Sequence, residues 1–314
     1  MNTDLMMHIP DGFLSAPTSG LFWLISAAII VFALRRAEKE LDERRLPMMG
    51  LMAAAIFAAQ MLNFAVTGGT SGHLLGSALA VILLGPWSAV LVMASVVVVQ
   101  ALVFQDGGLL ALGANLFNMA VVGVAMSFFV VRIINRLGNE KRWAIMAGAF
   151  GAGWLSIFIA SLVAALQLAV SGTSPANIAL PAMGGIHALI GIGEGLITAA
   201  AAGVVLAARP EVVRDQYGKK SEKSIWLVGM LLSVLLVVFA PLASSHPDGL
   251  EWVAEELGFM HTAREPLFEL IPDYVFPGIG NEALATIVAG VIGVVIVTGV
   301  ALATARRKST GKTV

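Results

Sequence analysis

Leu74-Leu75-Gly76-Ser77-Ala78-Leu79-Ala80-Val81-Ile82-Leu83-Leu84, followed by Gly85-Pro86, is the stretch whose reading decides the fold. As an α-helix the run 74–84 is about 16 Å long, roughly half of a bilayer's hydrocarbon core. It either merges with 87–104 into one helix kinked at Gly85-Pro86, or forms a separate short helix that turns there. The basic residues decide, because cytoplasmic loops carry the excess of Lys and Arg. Arg35, Arg36, Lys39, Arg44 and Arg45 follow the first apolar run. Arg132, Arg136, Lys141 and Arg142 follow the fifth, and Arg209, Arg214, Lys219, Lys220 and Lys223 the seventh. Arg306, Arg307, Lys308 and Lys312 follow the last, and of the 19 Lys and Arg only Arg264 lies elsewhere. All four groups share one side only if the chain crosses an even number of times between residues 67 and 108. Gly85-Pro86 is therefore a turn at the inner side, and 74–84 a short inward helix.

Working outward, apolar runs place spans near 18–34, 47–66, 74–84, 87–104, 109–131, 143–169, 181–208, 225–243 and 282–304. The expected fold class is all-α, a polytopic membrane helical bundle of about nine crossings, with the N-terminus outside and the C-terminus cytoplasmic. Composition agrees: 58% of the residues are hydrophobic and 12% charged, against about 25% charged in a soluble domain. A net charge of −1 points to no nucleic-acid partner, and the absence of cysteine excludes disulfides and thiolate metal sites. No basic residue precedes the first run, so residues 1–34 do not look like a cleaved signal peptide.

The polar stretch after Arg209-Pro210 marks the expected domain boundary. It separates a membrane bundle, 1–208, from a linker, 209–224, and a second module, 225–314. That module reads as a two-span hairpin carrying an external loop, 244–281, which is acidic through Asp248, Glu251, Glu255, Glu256, Glu265, Glu269 and Asp273.

This topology puts all five histidines on the outer side. His8 lies in Met7-His8-Ile9-Pro10-Asp11-Gly12-Phe13-Leu14, a turn-prone segment before the first span. If the chain starts at Met7, its amine, the His8 amide and the His8 imidazole all reach one metal ion. One more imidazole completes a square-planar nitrogen set, the geometry of Ni(II) or Cu(II). The competing reading is a disordered terminal histidine. His73 ends a Gly/Ser/Thr loop, 67–73, at the start of the short helix, where irregular backbone at membrane depth makes a natural cavity. Gln60, Asn63, Gln100, Asn115 and Asn118 stand near it, either as groups that orient imidazoles or as ordinary interhelical hydrogen bonds. His187 and Glu194 are seven apart on one helix and share a face. An ionisable pair inside a span is a candidate for proton coupling, and close packing around Gly191, Gly193 and Gly195 is the structural alternative. The chain has no Walker A motif and no His-Glu-x-x-His, so neither ATP hydrolysis nor zincin chemistry is expected of it.

Met7 to Leu14 resembles the N-terminal signature of the CbiM/NikM family, the substrate-binding membrane components of energy-coupling-factor-type cobalt and nickel transporters. Thr70-Ser71-Gly72-His73-Leu74-Leu75-Gly76 looks like that family's second ligand motif, and 104–115 and His187-Ala188-Leu189-Ile190-Gly191 are also similar. The resemblance spans about residues 7–208. Pro247-Asp248-Gly249-Leu250-Glu251 resembles the PDGLE domain, counterpart of the small CbiN/NikN component. The resemblance implies capture of Co²⁺ or Ni²⁺ as transported ion, with no cofactor, through the Met7 amine, the His8 amide and ring, and His73. It further implies a CbiQ/NikQ-like coupling subunit and a CbiO/NikO-like cytoplasmic ATPase as partners, in a bacterial or archaeal plasma membrane. Met1 to Met6 precede the signature, so either the chain starts at Met7, or the extension is removed, or another group replaces the amine ligand. A start at Met6 would make His8 the third residue, which also chelates. The rival function is a self-sufficient proton-coupled divalent-metal carrier or channel using His187 and Glu194.

Overall fold

The computed structural model describes residues 8–40, 46–208 and 222–306. Met7, most of the linker 209–224 and several of the basic residues that set the expected topology lie outside them. The regular secondary structure of the described residues is helical apart from one small hairpin. Its helices are α1 (Ala16–Glu40), α2 (Leu46–Gln60), α3 (Ser77–Leu84), α4 (Pro86–Val99), α5 (Leu112–Leu116), α6 (Gly123–Leu137), α7 (Arg142–Val170) and α8 (Ala176–Ala208). The second module contributes α9 (Glu222–Phe239), α10 (Gly249–Glu256) and α11 (Glu282–Arg306). Wider π-type turns at Gln100–Phe104 and Phe117–Val122 extend α4 and join α5 to α6.

Six of the described helical stretches are long and apolar enough to cross a membrane: 16–39, 86–104, 112–137, 142–170, 176–208 and 282–304. Leu46–Gln60 and Trp226–Leu242 are apolar but shorter. The short helix and its turn appear as expected. Gly85 ends α3 at φ 77°, Pro86 opens α4 at the first helical position, where a missing N–H costs nothing, and α3 packs against α4. The run expected at 47–66 stops earlier, at Gln60. Phe64–Val66 instead pairs antiparallel with Thr70–Gly72, in the register Phe64↔Gly72, Ala65↔Ser71, Val66↔Thr70. Gly68 and Gly69, both at positive φ, supply the turn that this hairpin needs. It is the one sheet among the described residues.

Helix α4 is the core. It is apolar all round, which suits a helix surrounded by others, and it packs against α1, α2, α3, α6 and α11. The α7–α8 pair is the most extensive packing in the molecule. Small residues permit it, since Gly153 lies on the Glu194–Gly195 backbone and Gly195 on Phe150. The two long helices of the second module, α9 and α11, both pack on α2. The second module is therefore built onto the first rather than beside it.

Candidate metal centre

The N-terminal segment is not frayed. Ile9 N–H donates to Asn115 Oδ1 (3.1 Å), and Ile9 O accepts from Asn115 Nδ2 (3.0 Å) and from Gly108 N–H (3.0 Å). Asp11 Oδ1 accepts from the N–H groups of Leu110 (2.8 Å) and Ala111 (3.0 Å). Asp11 O accepts from Arg264 N–H (2.8 Å), and Phe13 O from Thr173 Oγ1 (2.5 Å). His8, Ile9 and Phe13 are buried. Residues from three parts of the chain thus pin a segment that, by sequence, competed with a disordered tail.

The turn after α4 brings Asp106 to His8. The π-type turn 100–104 ends in Gln105 at φ 57°, a left-handed conformation that few non-glycine residues adopt. Asp106 N–H then closes back on Gln100 O (3.1 Å). A π-type turn in a helix commonly marks a functional site. Here it aims Asp106 Oδ1 at His8 Nδ1, 2.9 Å away. Gly107 follows at φ 93°, and a side chain there would overlap His8 Cβ. Tyr274 OH donates to the other carboxylate oxygen, Asp106 Oδ2, at 2.6 Å. Gln100 Nε2 donates both to Tyr274 OH (3.1 Å) and to Gln60 Oε1 (2.9 Å), and Gln60 Nε2 donates to Leu75 O (2.9 Å). One buried polar chain therefore runs from His8 to the loop that carries His73.

The His8 and His73 rings face each other edge-on, with centroids 5.8 Å apart and planes at 62°. They line a cavity of about 80 Å³ together with His187, Asp248, Asn115 and Asn118. With Nδ1 on Asp106, His8 Nε2 is buried and has no hydrogen-bond partner, so it is the nitrogen left open to a ligand. Closing a chelate ring with His8's own amide uses Nδ1 and would require the imidazole to turn over, off Asp106. Among the described residues, no three His, Cys, Asp or Glu side chains converge as a ready metal cluster. An ion held here draws on further nitrogen donors or on a closer approach of the groups around the cavity.

The second module reaches this cavity through its Pro-Asp-Gly-Leu-Glu stretch. Asp248 caps α10: Oδ1 accepts from Leu250 N–H and Glu251 N–H, both at 2.8 Å, while Glu251 Oε2 accepts from Asp248 N–H (3.1 Å). This reciprocal capping box fixes the start of the helix. The hairpin holds the residues before it, since Ser71 N–H donates to Pro247 O (2.8 Å) and Ser71 Oγ to His246 O (2.8 Å). Gly249 lies against His187 and Ile190, where a side chain would overlap both.

Electrostatics couple these groups. Burial alone would lower the His8 pKa, but the Asp106 carboxylate beside it holds it above the usual imidazole value. Burial alone would raise Asp106; the charge and hydrogen bond of His8, with the Tyr274 hydroxyl, hold it below the usual carboxylate value. Burial pushes Asp248 up to about 6, against the backbone N–H bonds from its own capping box and the nearby His8. Burial and the Asp106 charge push the Tyr274 phenol well above its ordinary value, so it stays protonated and donates.

Of the residues singled out from the sequence, His8, His73, His187, Asn115 and Asn118 meet at one cavity. Asn115 fastens the Ile9 backbone, and Asn118 exchanges two 2.8 Å hydrogen bonds with Gln167. Gln60 acts at a distance, through Gln100 and Leu75. Asn63 does not line the cavity; its carbonyl accepts from Ser244 N–H (2.8 Å), and its side-chain oxygen is buried without a partner. His187 and Glu194 share a helix but no partner. His187 Nδ1 contacts Met183 O (2.8 Å), whereas Glu194 accepts from Leu75 N–H (2.6 Å) and Gly76 N–H (3.1 Å). Asp106 and Tyr274 went unmarked as site residues. An Asp before Gly-Gly reads as turn chemistry, and one of only two tyrosines in the chain is a faint signal.

A bundle of apolar helices with a histidine-lined cavity, bordered by the loop of a second module packed on α2, defines a multi-pass membrane protein, and the relatives it matches make it one for metal transport. The chain belongs to the CbiM family, the cobalt uptake substrate-specific transmembrane region, which matches residues 8–212, and a PDGLE domain follows at 223–308. It is 39% identical over 304 residues to an Archaeoglobus fulgidus protein provisionally named fused nickel transport protein NikMN, covering 96% of this chain and 98% of that one. It is 30% identical to the fused nickel transport protein NikMN of Rhodobacter capsulatus, over 97% of this chain and 99% of the relative. Among solved structures, a truncated transition metal transporter superposes with a TM-score of 0.58 at 32% identity, covering 64% of this chain and 99% of that one.

Proposed function

We propose that the protein is the ion-capture component of an ATP-driven cobalt or nickel uptake system. It takes Co²⁺ or Ni²⁺ from outside into the cavity, with His8 and His73 as imidazole ligands and the Met7 amine as a further donor where the chain begins there. One observation carries the reading: two histidines from distant parts of the chain meet edge-on in the lining of one cavity, with one ring nitrogen, His8 Nε2, buried and unpaired. Imidazole is the commonest metal-binding side chain. The bundle 1–208 forms the site, and the module 225–314, with its loop 244–281 outside, closes it from above. Nine crossings, an outer N-terminus and a cytoplasmic C-terminus fit the placement of the basic residues. A membrane-embedded coupling subunit of the CbiQ/NikQ type and an ATPase of the CbiO/NikO type supply the energy, in keeping with a chain that has no Walker A motif.

Reconstitution tests this against the proton-coupled carrier. Uptake into vesicles that needs ATP and the co-expressed subunits supports capture for an ATPase. Concentrative uptake by the purified chain alone under a pH gradient would replace the proposal with the carrier.

A further inference from the structure

We infer that Tyr274, from the outer segment of the second module, is a positioning residue for ion capture: it holds Asp106, and Asp106 holds the His8 ring. The inference rests on the capture reading above and concerns what orients the ligand.

Three independent features converge on this hydroxyl. The segment 270–274 lies along the turn that carries Asp106: Ile271 N–H donates to Val103 O (3.0 Å), Leu270 N–H to Gln105 Oε1 (3.1 Å), and Tyr274 OH to Asp106 Oδ2 (2.6 Å). The ring is buried and stacks on Phe104 at 4.7 Å with planes 13° apart, so its oxygen has one position. The backbone pays for that position. Asp273 and Tyr274 are consecutive non-glycine residues in the left-handed region, at φ 53° and 59°, and such strain persists where the surroundings over-determine it, most often at functional sites.

Packing alone would be served as well by phenylalanine, which stacks equally on Phe104. The hydroxyl adds what packing does not need. It occupies the Asp106 oxygen that faces away from His8 and receives Gln100 Nε2, so the carboxylate is held in one rotamer beside the imidazole, where it bonds the ring nitrogen that the ion leaves free: Nδ1 as the ring stands, Nε2 once the ring turns over to chelate. A carboxylate on one imidazole nitrogen fixes the ring and raises the basicity of the other nitrogen toward a metal. The second module thereby sets the geometry of a ligand at the opposite end of the chain.

The test is Tyr274→Phe in the purified full-length chain, titrated with Co²⁺ by calorimetry and by the visible d–d absorption of the bound ion. Removing the direct partner of a metal-ligating histidine costs about 10- to 100-fold in affinity; Tyr274 acts one bond further out, so a loss at the lower end, about 10-fold, is expected, and a loosened ring shifts the absorption bands. Wild-type affinity with a wild-type spectrum overturns the inference. So does reduced loading with an unchanged spectrum, the signature of a merely structural role. If Tyr274→Phe does not fold, Tyr274→Met, which keeps an apolar side chain and removes the hydroxyl, is read by the same criteria. His8→Ala run in parallel separates the two levels: if it keeps wild-type Co²⁺ affinity, the capture site itself is wrong, whereas if only Tyr274→Phe behaves as wild type, the site stands and the positioning role falls.

Discussion

Two buried carboxylates sit near the centre of this molecule and do different work. Glu194, within α8, spends both oxygens on backbone: the N–H groups of Leu75 and Gly76. It holds the irregular loop ahead of α3, where two amide hydrogens would otherwise be buried without acceptors. Asp106 spends both oxygens on side chains, His8 on one and Tyr274 on the other. Its partners are an imidazole and a phenol from opposite ends of the chain. By sequence Glu194 is the more conspicuous, the one acidic residue deep in an apolar run, and Asp106 passes as part of a turn. A buried charge therefore signals function through what satisfies it, and burial alone does not distinguish scaffold from site.

The contrast is breakable. The largest effect belongs to His8→Ala, which removes the imidazole proposed as ligand and held by Asp106. It should abolish retention of Co²⁺ and Ni²⁺ in equilibrium dialysis, and unchanged affinity for both ions would remove His8 from the site. Asp106→Asn comes next, with a loss of about 10- to 100-fold in affinity measured on folded protein. Glu194→Gln should separate from it. An amide there presents an N–H₂ to one of the two backbone donors, costing roughly 2 kcal/mol of stability as a lost hydrogen bond to a charged group. A lower unfolding temperature with ion affinity near wild type is expected. The reverse pattern, normal stability with lost uptake under a pH gradient, would make Glu194 the functional carboxylate. Asn115→Ala is the smallest, releasing Ile9 N–H and C=O at about 1 kcal/mol per hydrogen bond. Hydrogen exchange by mass spectrometry should then show faster exchange confined to residues 8–14.

Much of the scaffold was legible in order along the chain. The short helix expected at 74–84 forms over Ser77–Leu84, and the turn expected at Gly85-Pro86 follows it. The span expected at 47–66 overran because hydropathy does not register a hairpin: Phe64, Ala65 and Val66 are as apolar as a helix end, and only the Gly68-Gly69 pair betrays the turn. Of the site, His8 and His73 stood out because histidines are few and their neighbouring motifs are specific. Gln60 and Asn63 are candidates in the sequence either for orienting imidazoles or for ordinary interhelical hydrogen bonds. The structure gives Gln60 a place two hydrogen bonds from Tyr274, and Asn63 none at the cavity.

Sequence by itself determined a polytopic helical bundle with a second, two-helix module, and the residue types able to bind a transition metal, because hydropathy and charge are sums over neighbouring residues. Only the tertiary structure decided that the N-terminal segment is pinned rather than frayed. It alone also decided that Tyr274 meets Asp106, 168 residues away, and that Asp248 borders the same cavity. Such contacts depend on how helices cross and where a strained turn aims one side chain, and no local pattern of apolar and polar residues records either.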